Sequence, residues 1–77
     1  MNEYRSSFYL IPQTTVDRRT LWTAMQEIFA AHPGDHPVYV QSEGRWRRLG
    51  EMYWIDGSKE AQSALTRLMG ESAVKMR

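Results

Sequence analysis

The chain has seventy-seven residues, 42% of them hydrophobic, and ten Lys and Arg set against nine Asp and Glu leave a net charge of +1. That length makes one domain, and the near-neutral balance argues against strong sequence-independent binding of nucleic acid, which draws on many cations. No cysteine is present, which removes thiolate chemistry and cysteine-based zinc sites and fits a reducing, cytoplasmic compartment. No apolar run approaches the length of a membrane span. A chain this short buries about 60–65% of its unfolded surface. A single core of that size supplies roughly 3–5 kcal/mol.

Met1 to Ser7 is polar, lacks the apolar core of a signal peptide and reads as a frayed start, so the domain spans residues 8–77. Phe8-Tyr9-Leu10-Ile11 is a short apolar run ended by Pro12, and it reads as a strand buried on both faces. Pro12 to Thr15 is a linker, with Thr15 or Asp17 as N-cap of the first helix. In that helix Leu21, Met25, Ile28 and Phe29 recur at the spacing of one helical face, extended by Trp22. His32-Pro33-Gly34 stops it. Pro33 biases His32 away from helix, and Gly34 has the permissive backbone of a reversal.

Asp35-His36-Pro37 is a loop into Val38 to Gln41, a β-branched and aromatic strand. Ser42 to Arg45 reads as a hairpin turn with Gly44 at positive φ, followed by a strand over Trp46 to Leu49. Leu49-Gly50-Glu51 is a bend, and Met52-Tyr53-Trp54-Ile55 is a further strand or extended edge. Asp56-Gly57-Ser58 is turn chemistry, with Ser58 as N-cap of a second helix. There Ala61, Ala64, Leu65, Leu68 and Met69 share one face, and Gly70 closes it. Ala73 to Met76 is a short last strand. The sum is an α+β fold, β-α-β-β-(β)-α-β, with a mostly antiparallel sheet and both helices on one face. The outline is close to the split β-α-β plan.

The residues that carry chemistry are dispersed. His32, Asp35 and His36 flank one turn, but a catalytic zinc needs three protein ligands and a structural one four. No further histidine completes a site. Carboxylates fall on turns (Asp35, Asp56) or exposed helix positions (Asp17, Glu27, Glu60), without the pairing that general acid–base or two-metal catalysis requires. No glycine-rich run cradles phosphate. The composition therefore points to a non-enzymatic domain without metal or cofactor.

Arg45-Trp46-Arg47-Arg48 is the strongest local signal. Strand alternation puts Trp46 and Arg48 on one face and Arg45, Arg47 and Leu49 on the other. Such a hairpin suits a protein interface or single-stranded DNA. The competing reading is a solvated edge whose charges block stray strand pairing, with Trp46 covering core. Tyr39, Trp46, Tyr53 and Trp54 are numerous for so small a sheet, so some belong on its uncovered face. The candidate partner-binding residues are Arg45, Trp46, Arg47, Arg48, Tyr53 and Trp54.

The run Leu21 to Val40, with its His32-Pro33-Gly34-Asp35-His36-Pro37-Val38 turn, resembles the extreme C-terminal region of the bacterial replicative DNA polymerase III alpha subunit. Arg48-Leu49-Gly50-Glu51, Tyr53-Trp54-Ile55-Asp56, the helix Ser58 to Met69 and Gly70-Glu71-Ser72-Ala73-Val74 follow that region in order and spacing, so the likeness spans Phe8 to Arg77. The most specific piece is His32 to Val40. The resemblance implies a non-catalytic tail of a DNA-directed DNA polymerase that docks the clamp-loader tau subunit beside the rest of the alpha chain. The family's catalytic carboxylates have no counterpart here. Its internal clamp-binding motifs begin with Gln and end in a hydrophobic–aromatic pair, and Gln62-Ser63-Ala64-Leu65 lacks that ending. Met1 at the head fits an excised domain or a free-standing relative.

Overall fold

The structure, a computed structural model, describes residues 6–12 and 17–77. The frayed start over Met1 to Arg5, most of the linker after Pro12 and the Thr15 cap lie outside the described residues. Ser6 and Ser7 are held more firmly than a frayed start implies. Ser7 exchanges backbone hydrogen bonds with Arg77, and His36 Nδ1 donates to the Ser6 carbonyl at 2.8 Å.

Five strands and two helices follow in the order β1 (Phe8–Leu10), α1 (Arg18–Ala31), β2 (Pro33–His36), β3 (Val38–Ser42), β4 (Arg45–Arg48), α2 (Lys59–Met69) and β5 (Val74–Met76). Short 3-10 turns precede α2 and β5, over Glu51–Tyr53 and Glu71–Ala73. Four strands form one sheet in the order β4-β3-β1-β5. β1 runs parallel to β3, and the other two pairings are antiparallel. The α+β class, the two helices and a largely antiparallel sheet therefore hold. The split plan does not: β1 and β3 are direct neighbours, and β4 lies at the outer edge instead of between them.

Asp17 caps α1, accepting from the Thr20 amide at 3.2 Å and the Thr20 hydroxyl at 3.1 Å. Leu21, Met25 and Phe29 form its buried stripe, and Ala61, Leu65 and Met69 form that of α2. Both stripes meet Phe8, Leu10 and Val38 from one face of the sheet, with Ile55 and Ala73 closing the cluster. Ser58 caps α2 through the Ala61 amide at 3.1 Å, and Gly70 follows its last turn. The β3–β4 turn has Glu43 at φ 53° and Gly44 at φ 78°. Two positive φ values in a two-residue loop match the right-handed twist of the flanking strands. Among the described residues no helix is long and apolar enough to cross a membrane.

Three local expectations are corrected. β1 is not sealed on both faces: Phe8 and Leu10 are buried, but Tyr9 between them points to the other side and is half-buried. Met52 to Ile55 is not a strand. Its first residues complete the 3-10 turn, Met52 stands 79% exposed, and only Ile55 is buried. The extra strand is instead β2, where a helix stop and a loop were expected, His36 included. Ile55 bridges Pro33 and His36, while Gly34 donates to the Trp54 carbonyl at 3.1 Å and Asp56 to the His32 carbonyl at 3.0 Å. Gly34 does not take a positive φ. Its role is close approach, since a Cβ there would lie 2.3 Å from the Asp56 Cα.

Candidate functional site

The helices cover one face of the sheet. The register fixes what remains on the other. Tyr9 sits opposite Tyr39 on one side and Lys75 on the other, Tyr39 opposite Arg48, and Gln41 opposite Trp46. Opposed residues share a face, so these six line the side away from the helices. The rings touch: Tyr9 and Tyr39 stack with centroids 5.0 Å apart and planes 7° apart, and Trp46 meets Tyr9 at 5.4 Å and nearly perpendicular. Trp46 remains 45% exposed and covers no core, although β4 is the exposed, arginine-rich edge strand that the edge-blocking reading expects.

Arg48 extends the row. Its guanidinium carbon lies 5.0 Å from the centre of the Trp54 ring, a cation–π contact. Trp54 is itself anchored, because its indole N–H donates to the Leu49 carbonyl at 3.0 Å. Arg48 thus meets Trp54, and Trp46 lies on the same face of β4 as Arg48.

Arg45 and Arg47 alternate to the helix side, opposite Ser42 and Val40. There Arg47 borders a cleft between α1 and the hairpin, with Trp22, Val40 and Leu49 in its wall and Arg18 across it. Arg18 donates to the Ser42 hydroxyl at 3.1 Å, tying the start of α1 to the end of β3. Tyr53 leaves the patch altogether. Its ring packs on Trp22 at 5.4 Å and Phe29 at 6.1 Å, and its hydroxyl receives the Gln26 amide at 3.5 Å. The 3-10 turn causes this, since it replaces strand alternation with a tighter winding.

Tyr9, Tyr39, Gln41 and Lys75 were not among the candidate partner-binding residues. The available signal was parity: Phe-Tyr-Leu and Val-Tyr-Val each place a tyrosine between two core residues. The charge distribution is equally uneven. No strand of the four-stranded sheet contains an acidic residue, although the chain as a whole is nearly neutral. Among the described residues, no three His, Asp or Glu side chains converge as a metal site would require. Asp56 accepts from the Ser58 amide at 2.9 Å, and this bond, then the Ser58 hydroxyl, holds its carboxyl below the usual value of 3.8. That carboxylate orders the turn into α2. Comparison of the chain with models of known protein families, with curated proteins and with solved structures returns no match.

Proposed function

We propose that this chain is a non-catalytic interaction domain of the kind that ends a bacterial DNA polymerase III alpha subunit. In this reading it works in the cytoplasm and docks the clamp-loader tau subunit to the rest of the alpha chain. The observation that carries the reading is the cleft between α1 and the hairpin. Trp22, Val40 and Leu49 give it an apolar wall, and Arg18 and Arg47 stand at its rim. An apolar centre with an arginine rim is the usual composition of a protein-docking surface.

Two further points support the reading. The segment that resembles the polymerase tail most specifically, His32 to Val40, is paired here through β2 with Ile55 of a second resembling segment. A rigid joint of this kind holds the hairpin against α1 and so preserves the cleft. The carboxylates of Asp17 and Asp56 have structural uses, capping α1 and ordering the turn into α2.

Calorimetric titration with the C-terminal domain of tau tests the proposal. A complex forming at micromolar concentrations, weakened by Arg47→Glu, is the expected result. No heat and no complex at tens of micromolar contradicts it.

A further inference from the structure

We propose that the open face of the sheet binds a single-stranded polynucleotide. The proposal concerns the other face of the hairpin, which shares Gln41 and Arg48 with the margin of the docking cleft, and it does not depend on the tau reading.

The geometry provides both halves of such a ligand's chemistry. Tyr9, Tyr39 and Trp46 form a contiguous aromatic cluster in the middle of the face. Arg48 and Lys75 lie at its two ends, on β4 and β5, in the row Arg48–Tyr39–Tyr9–Lys75. Three strand spacings separate those ends, about 14 Å between the Cα atoms. A strand of nucleic acid crossing the sheet puts phosphates near both cations and bases over the rings between them. Every base has a π face, so stacking of this kind tolerates any sequence. Trp54 holds Arg48 in place by its ring, and Gln41 beside Trp46 adds an amide for a base edge.

The absence of acidic residues from all four strands removes the repulsion that a phosphate chain would otherwise meet. The near-neutral total charge conceals this segregation. A duplex fits the face less well, because its base faces are already stacked. An acidic peptide satisfies the cations but leaves the rings uncovered.

The test uses the full chain and a fluorescein-labelled oligothymidylate about twelve nucleotides long, read by anisotropy at several salt concentrations. The arms are the deoxy- and ribo-oligomers, a duplex, and a glutamate-rich peptide. Binding of either single strand, tighter than the duplex and the peptide, is the expected result. Two phosphate contacts give a slope of log K against log salt of roughly −1.4. Trp46→Ala weakens binding about tenfold. The double variant Arg48→Gln with Lys75→Gln flattens the salt slope and involves only exposed side chains, so it reports even where removal of a ring disturbs folding. Arg67→Gln, which removes one positive charge on α2, leaves binding unchanged. The proposal is overturned by absence of binding at protein concentrations on the order of 1 mM. It is equally overturned by binding of the acidic peptide as tight as that of the oligomer, or by a loss with Arg67→Gln that matches the loss with the double variant. Tau is absent from every arm, so failure here leaves the docking proposal standing, and the reverse.

Discussion

Gly34 and Asp56 lie so close that a single added carbon would not fit: a Cβ on Gly34 would stand 2.3 Å from the Asp56 Cα and 2.5 Å from its amide nitrogen. The contact joins the His32 to Val40 segment to the Tyr53 to Asp56 segment. Backbone hydrogen bonds from Gly34 to Trp54 and from Asp56 to His32 flank it. Glycine is needed here for proximity, and proline beside it ends α1 without interrupting the pairing.

Gly34→Ala therefore forces backbone against backbone, which has no flexible end to yield. Overpacking of this kind costs about 1–3 kcal/mol or more. Against a total of roughly 3–5 kcal/mol, the variant loses most of its stability. Thermal or urea unfolding followed by circular dichroism measures it. An unfolding midpoint equal to that of the parent would show that the two segments are not in contact.

Ile55 and Met52 distinguish the observed turn from the expected strand. Ile55→Ala removes a fully buried side chain at the bridge to β2 and costs about 2–5 kcal/mol. Met52→Ala, at a 79% exposed position, stays within about 0.5 kcal/mol of the parent. Comparable losses from both in a denaturant titration would favour the strand instead.

How much of this was legible in the sequence depended on how local each feature is. The helix stripes through Leu21, Met25 and Phe29 and through Ala61, Leu65 and Met69 repeat within one segment, so the period revealed them. The caps at Asp17 and Ser58 and the turn at Gly44 are equally local. β2 was not legible, because Pro33-Gly34-Asp35-His36 has no strand-forming residue and gains its pairing from Ile55, far downstream. Met52 to Ile55 had strand composition and lost that conformation to a 3-10 turn, so tertiary packing overrode propensity. The site divides in the same way. Alternation along Arg45 to Arg48 was readable, whereas Tyr9 and Lys75 join Arg48 only through the strand order β4-β3-β1-β5.

The turn into α2 has an acid dependence. The Ser58 amide and hydroxyl lower the pKa of Asp56 in the folded chain, and the charge of His32 acts in the same direction. The unfolded chain therefore binds the proton more tightly. The stabilisation is fully present above the ordinary value of 3.8 and is lost as pH falls through the lower folded value. Unfolding midpoints measured from pH 6 downward should fall less steeply below about pH 4 in Asp56→Asn than in the parent. An unchanged acid limb would contradict the hydrogen bond from Ser58. Ser58→Ala also removes the cap of α2, at a cost of about 1 kcal/mol.

The hairpin's two sides predict separable defects. Arg47→Glu reverses the charge at the rim of the α1 cleft and weakens the tau complex while the affinity for oligothymidylate changes less. Trp46→Ala does the opposite. Side-by-side calorimetry and anisotropy on the two variants check this, and a variant that damages both interactions equally would merge the two surfaces into one.

The central claim, a small domain that grips a protein partner beside α1 and leaves its sheet face open, is tested most directly by amide chemical-shift mapping. The isotopically labelled chain is titrated in parallel with the tau domain and with oligothymidylate. Tau is expected to shift the amides of Trp22, Arg47 and Leu49, and the oligomer those of Tyr9, Tyr39, Trp46 and Lys75. Undisturbed spectra with tau at saturating concentration, or shifts confined to the outer side of α2, would contradict the account.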